Sequence, residues 1–306
     1  MTTQRTHAAP PPDAGLRPVA VDPGTGSPVD AAVAPGGDGG PQGSRKRRFS
    51  LASADARRRT MIRASYTALA LLVLWEIIGR FLLTSKLVFA PLSGVLTRMV
   101  ELWQDENLAH DIWVSYSELA LGMLVASVAG IVIGGILGVS RTAREHFDPI
   151  VNALYATPLV ALSPILILMF GIGIASKVAI IALLAVFPII VNTATGLRTA
   201  DNALIEGARS FTASPWQVFR EVQLPNAVPA VVSGFRLAVG KGITGIFVGE
   251  FFGASAGVGY LITISAQTFD VPAIFAGVLI LAVSGVVLTG LLDLLERRVA
   301  KWRVNA

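Results

Sequence analysis

Cysteine is absent from this 306-residue chain, which excludes disulfides and thiolate metal sites. Histidine is nearly absent: three are scattered without ligand spacing, so no metal site is expected. Charge is scarce as well, at 15% of residues, where soluble domains average roughly 25%. No G-x-x-x-x-G-K-[ST] loop occurs. Gly234 with Gly240-Lys241-Gly242 comes nearest, but the spacing is one too long and no Ser or Thr follows. ATP binding by that mechanism is therefore not expected. There is no nucleophile–base pairing and no cluster of titratable residues, so no catalytic residue is assigned.

What the chain has instead is hydrocarbon. The mean hydropathy is +0.64, and six apolar segments lie near 64–83, 113–139, 149–170, 175–196, 227–250 and 272–295. Each is long enough to cross a hydrocarbon core of about 30 Å at about 1.5 Å per residue. The expected fold is an all-α polytopic membrane protein with six transmembrane helices. "GIGIAS" alone separates the third and fourth, which predicts a tight helical hairpin. Residues 1–43 hold eight Pro and eight Gly with few large apolar residues, so 1–60 is expected to be a disordered Pro/Gly-rich and basic tail. Residues 61–108 read as the first span and an external connector, 109–296 as the transmembrane domain, and 297–306 as a basic tail. Lys46-Arg47-Arg48-Phe49 faintly resembles a twin-arginine signal, but no small-residue cleavage site follows the apolar stretch.

The net charge of +5 is unevenly placed. With the N-terminus inside, segments 1–63, 140–148, 197–226 and 296–306 hold 10, 2, 3 and 4 Lys/Arg. Arg80, Lys86, Arg98 and Lys177 fall outside, and 251–271 holds none. The positive-inside rule puts both termini in the cytoplasm of a multi-pass cell-membrane protein. That distribution disfavours nucleic-acid binding as the reason for the basic charge.

Two features stand out against the apolar background. Gly122, Ala126, Gly130, Gly134 and Gly138 form one flat stripe on the second span, a seam for another helix in this chain or another. "EGARSFTASPWQVFREVQLP", Glu206–Pro225, is polar and cytoplasmic by the charge count. Thr199 or Asp201 can cap a first helix near 202–211. Ser214, Pro215 and Gln217 supply the N-cap, N1 and N3 of a second. That second helix is expected to end near Pro225. Such a knob suits docking to a soluble partner.

The spacing here resembles the coupling loop of ATP-binding-cassette importer permeases. The family pattern is Glu-Ala-Ala, three residues, Gly, nine residues, Ile, one residue, Leu-Pro. Glu206-Gly207-Ala208, Thr212, Val222 and Leu224-Pro225 stand in that register. Gly207 replaces Ala and Thr212 replaces the turn Gly. Threonine resists positive φ, so the turn at 212 is expected to differ from the family's. "TPLVALSPILILMFGIGIASKVAII", "FPIIVNTATGLR" and "GEFFGASAGVGYLI" resemble the nitrate/sulfonate/taurine branch, and the resemblance covers roughly residues 64–295. It implies a type I inner-membrane permease, with a coupling-helix loop between spans four and five. It also implies two ATP-binding subunits that hold the ATP, a second permease copy as a homodimer, and an extracytoplasmic substrate-binding protein. No cofactor is expected in this chain. The cargo implied is a small anion such as nitrate, a sulfonate or taurine. The alternative within the class is a pyrimidine-type vitamin precursor.

Polar groups inside spans are the candidate translocation path. Span five carries Ser233, Arg236, Gly240 and Thr244 at spacings of three and four, with Lys241 beside them. Asn192 and Thr193 on span four could face the same path. The competing reading has Arg236 snorkelling and Lys241 paired with Glu118 or Glu250. Ser163-Pro164 reads as a locally satisfied kink, and Glu118 and Trp75-Glu76 as groups that pair with a base or face a cavity. A secondary transporter driven by an ion gradient would show inverted repeats, which the chain's two halves lack.

Overall fold

The computed structural model describes residues 62–63, 65–82 and 87–299. The expectations for 1–60 and the last residues of the basic tail lie outside them. Every regular element among the described residues is helical. Five helices are long and apolar enough to cross a membrane, and a bent pair makes a sixth if it counts as one span.

The first span, α1, runs Ser65–Leu82. Its end is tied down by the Trp75-Glu76 pair. Trp75 Nε1 donates to the Ala90 carbonyl at 3.0 Å, and the ring packs on Phe89 and Phe275. Glu76 accepts from Arg80 and from the Ser93 backbone N–H at 2.9 Å. Ser93 lies in the first turn of α2, Leu92–Asp105, whose own N-cap Pro91 offers no side-chain acceptor. Glu76 thus caps a helix that the sequence reading placed in an external connector. Helix α2 buries Val95 and Leu102 against Leu108, Leu261 and Val271. It also clamps the next corner through Arg98, which reaches Asp270 at 2.8 Å and Glu106 at 2.8 Å. Burial opposes the Arg98 charge, but these bonds outweigh it and hold the guanidinium above its ordinary pKa.

Helix α3 spans Leu108–Val139 and α6 spans Ile174–Arg198. Their contact is the glycine stripe read from the sequence, so the partner helix lies in this same chain. A Cβ on Gly122 would lie 2.5 Å from Ile181, on Gly130 2.7 Å from Ile189, and on Gly138 2.7 Å from Leu197. On the other side of α6 lies α9, Leu224–Gly253. There Gly234 seats Asn192 and Gly245 seats Ile181. Three helices therefore approach backbone to backbone, which is how helices gain contact energy in lipid.

The third apolar segment is not one rod. Helix α4, Arg141–Ala156, and the run Leu159–Phe170 meet at 84°. Thr157 is extended (ψ 144) ahead of Pro158, as a residue before proline tends to be. A 3₁₀ turn, Leu159–Leu162, follows, and α5, Ser163–Phe170, starts with Pro164 in its first turn. The break is at Thr157-Pro158, not at Ser163-Pro164. Gly171 and Gly173 then turn the chain into α6.

Helices α7, Asn202–Ser210, and α8, Pro215–Val218, follow. The expected stop near Pro225 does not occur. A π-helical stretch, Phe219–Gln223, joins α8 to α9, and Pro215–Gly253 forms one helical run. In the wider turn the Leu224 N–H reaches back five residues to the Phe219 carbonyl. The ladder is already opened there, so the N–H that Pro225 lacks costs little. Helix α10, Val258–Gln267, occupies what the sequence reading left as a loop, and α11, Val271–Val299, is the last span.

A buried polar node joins α3, α6, α9 and α10. Lys177 donates to Glu118 at 2.8 Å, with side chains 8% and 3% exposed. So Glu118 takes Lys177, not Lys241, and Lys177 is an internal partner rather than an outside flanking charge. Glu250 accepts from Ser115 Oγ at 2.6 Å and from the Gly259 N–H. Ser115 Oγ accepts from the Val258 N–H at 2.8 Å, and Asp111 from the Gly257 N–H at 2.8 Å. Side chains from α3 and α9 therefore satisfy the open N–H groups of α10, whose Gly257 has φ +119 and no side chain to do so.

Two expectations test this core by thermal unfolding in detergent. Gly134→Ala puts a methyl 2.7 Å from the Ile190 carbonyl oxygen, which no rotamer change relieves. It should destabilise by about 1–3 kcal/mol, while Gly135→Ala, which meets nothing within 4 Å, should be neutral. Equal behaviour of the two variants would remove the seam argument. Separately, Glu118→Ala strands a buried ammonium and should cost about 3–5 kcal/mol. Replacing both partners, Glu118→Leu with Lys177→Met, should cost much less, and an equal loss would mean the pair is not coupled.

Candidate functional site

Two regions collect the residues singled out by sequence: the knob at 201–225 and a cleft beside α9. In the knob, Asp201 rather than Thr199 is the cap: its Oδ1 accepts from the Ala203 N–H at 2.8 Å. Ser214 and Gln217 form the expected capping box. The Gln217 N–H donates to Ser214 Oγ at 3.3 Å, and the Ser214 N–H to Gln217 Oε1 at 2.7 Å.

The turn between these helices overturns one expectation. Thr212 adopts φ 60, the left-handed conformation the sequence seemed to forbid. The Ala213 N–H donates to the Ala208 carbonyl at 3.1 Å, and the Thr212 N–H to Arg209 at 2.9 Å. This is the paired closure of a helix that ordinarily uses glycine. The hydrogen bonds hold the turn, and threonine carries the strain.

Glu206 and Gly207 are exposed, and no atom lies within 4 Å of a Cβ built on Gly207. Ala208, Val222 and Pro225 are half-buried, and Leu224 is exposed. The Phe and Trp residues of the stretch, which give it a modest apolar face in the sequence, are largely exposed: Phe211 is 87% exposed and Trp216 65%, and Leu204 joins them at 62%. Val218 is buried, and Trp216 and Phe219 pack with ring centres 5.5 Å apart. Nearby, Arg198 at the end of α6 grips Asp148 with two bonds, of 2.7 and 2.8 Å, and donates to the Leu137 carbonyl at 3.1 Å. That joins the end of α6 to the middle of α4 and the last turn of α3 just before the knob begins.

The stripe expected to line a path is divided. Arg236 does not point into the cleft, because Asp293 and Glu296 of α11 hold it. Ser233 donates to its own helix at Pro229, and Asn192 to Pro188. Thr193 is buried against Gly134 of α3. Gly240, Lys241 and Thr244 remain exposed on one face of α9. Lys241 and Thr244 line a cleft of about 100 Å³ with Tyr155, Thr157 and Pro158 from the α4–α5 bend. Tyr155 and Thr157 carried no sequence signal, since only the bend brings them there.

Thr212→Gly should remove the strain of the knob turn and stabilise the isolated permease by about 1 kcal/mol. Differential scanning in detergent reads this as a raised Tm. A lowered Tm would mean that the Thr212 side chain makes a stabilising contact.

Residues 126–301 match the family described as binding-protein-dependent transport system inner membrane component. The chain is 36% identical to the putative aliphatic sulfonates transport permease protein SsuC of Bacillus subtilis, over 76% of this chain and 84% of that one. It is 31% identical to the formylaminopyrimidine transport permease protein ThiX of Halalkalibacterium halodurans, over 77% and 93% of the two chains. It is 28% identical to the taurine transport system permease protein TauC of Escherichia coli, over 77% and 88%. Among solved structures, a chain of the MetNI methionine ABC transporter in inward-facing conformations aligns at a TM-score of 0.54 and 22% identity. That alignment covers 63% of this chain and 95% of the other, and it speaks to the fold alone. A family match over more than half of the length, joined to a bundle whose long apolar helices carry an exposed capped knob, makes this chain a member of the inner-membrane permease family of binding-protein-dependent transport systems.

Proposed function

We propose that this chain is the translocating subunit of an ATP-driven importer for small organosulfonates. The observation that carries the cargo class is the 36% identity to a permease named for aliphatic sulfonates, with a taurine permease also among the relatives. The nucleotide is bound by two partner subunits, and a binding protein delivers the cargo from outside. Both termini lie in the cytoplasm, on the side of the knob. Glu206–Pro225 docks into an ATPase groove. The support is the register of the coupling pattern and the exposure of Leu204, Phe211 and Trp216, three large apolar side chains within one short polar segment. A second copy of the chain completes the path. Leu168, Met169 and Ile172, 85%, 70% and 81% exposed around α5, offer an apolar face for it. The relative named for formylaminopyrimidine supports a second reading in which the cargo is a pyrimidine.

Proteoliposomes holding permease, ATPase and binding protein separate these readings. Labelled ethanesulfonate should accumulate on ATP addition, and accumulation of a formylaminopyrimidine alone would reverse the assignment. In the same system Ala208→Arg puts a bulky cation on the half-buried face of α7. Membrane insertion should hold while ATPase co-purification and uptake fall about tenfold or more, the effect of losing ~1.4 kcal/mol of binding. Wild-type association of the variant would take Ala208 off the docking contact, and ATPase association that survives deletion of 202–214 would remove the docking reading altogether.

A further inference from the structure

Lys241 is a charge on an apolar helix that no described residue holds. Among the described residues it makes no ion pair, whereas Arg236 and Glu250 on the same helix both do have polar partners. An ammonium facing lipid at the centre of a span is costly, so such a residue belongs in an aqueous cavity or beside an anion. Most of the described carboxylates that the spanning helices of a second copy would bring are already engaged. Glu118 and Glu250 are buried in the polar node, Asp148 is held by Arg198, and Asp293 and Glu296 by Arg236. Glu221 is exposed, but it precedes Lys241 by twenty residues of helical chain, about 30 Å at 1.5 Å each, and lies at another depth.

The surroundings suit a ligand. Lys241 and Thr244 stand one turn apart on α9 and face the α4–α5 bend, where Tyr155 and Thr157 complete a small cleft of about 100 Å³. That is smaller than a site for a whole drug-sized ligand and suits a single anionic head group. The side chains offer an ammonium and hydroxyl donors. The neighbouring helical position, Gly240, leaves open space on the exposed face, with nothing within 4 Å of a Cβ. We infer that Lys241, Thr244, Tyr155 and Thr157 form an anion subsite on the translocation path, which takes the sulfonate group of the cargo. The ammonium supplies the charge and the hydroxyls donate to the oxygens, while the carbon chain lies against Pro158 and Leu184. This deepens the importer reading and rests on it for the identity of the cargo.

The lack of native cysteine makes a direct test available. Place Thr244→Cys in the full-length permease, in complex with its ATPase in liposomes. Measure its labelling by a sulfonatoethyl methanethiosulfonate and by the trimethylammonioethyl analogue. Each reagent forms a mixed disulfide with the thiolate and releases methanesulfinate, so the comparison isolates the field at the site. The anionic reagent should be favoured, and Lys241→Met should reduce that preference about tenfold while Lys241→Arg retains it. Ethanesulfonate should slow the labelling, and the neutral ethyl methyl sulfone should not. Gly240→Cys serves as a second reporter if the Thr244 variant does not assemble. A preference indifferent to Lys241→Met, or equal protection by the neutral sulfone, overturns the subsite. Labelling requires no transport, so its outcome stands apart from whether ethanesulfonate is the cargo. Lys241-dependent labelling with no ethanesulfonate uptake would sustain the anion site and reject the sulfonate cargo. Uptake with Lys241-independent labelling would do the reverse.

Discussion

Helix α6 is gripped on both sides by helices that approach it at glycine. Lipid tails are as apolar as leucine, so burial from water cannot draw these helices together, and contact distance must do so instead. A methyl group at Gly122, Gly130 or Gly138 of α3 would sit inside the van der Waals radius of an α6 side chain, and one at Gly134 would meet the α6 backbone. Gly234 and Gly245 do the same from α9. The rest of the bundle is arranged around this triple contact. The knob at α7 and α8 is the excursion the chain makes between α6 and α9, two of the closely packed helices of that contact. Arg198 ties the exit from α6 to α4 and α3. The return into α9 is a continuous helical run. On the α9 side the knob therefore joins its span without a loop, while residues 199–201 separate it from α6.

That continuity depends on a detail that sequence rules read in the opposite sense. Proline after a short capped helix ordinarily marks its end, and Leu224-Pro225 looked like such an end. The π stretch ahead of it widens the ladder by one residue, so the proline falls where a donor is not required. The turn at Thr212 is a parallel case. Local preference argued against a left-handed threonine, yet two backbone hydrogen bonds over-determine the turn and impose it. In both places the local rule was sound, and a neighbouring constraint outweighed it.

What was legible depended on whether the signal was local. The spans announced themselves as long apolar runs, the seam as a spacing of four, and the knob as caps at Asp201 and Ser214. Helices α2 and α10 were hidden because each is short, and each is held by residues far away in the chain. Arg98 of α2 finds Asp270, and α10 is capped by Ser115 of α3 and Glu250 of α9. The bend at Thr157-Pro158 was misplaced to Ser163-Pro164, because two nearby prolines carry the same local signal. Its consequence, that Tyr155 and Thr157 face α9, was not legible, because that depends on how an 84° turn is packed.

Helix α9 shows the same limit in its charges. Arg236, Lys241 and Glu250 are three ionisable groups on one apolar helix, and spacing alone gives them equal standing as path residues. Their partners separate them. Arg236 faces α11, where two carboxylates hold it, so it fixes the helix near the knob. Glu250 turns into α3 and α10 and fixes the opposite end, with Gly257 and Gly259 bare of side chains where its carboxylate lies. Glu250 is costly to bury and is held by the hydrogen bonds it accepts, whereas Arg236 is only partly buried and is held by its two carboxylates. Lys241 lies between the anchors, on a face that neither of them occupies. A helix pinned by charge at its two ends and left with one unmatched charge in between can present that charge to a cleft without loosening its own packing.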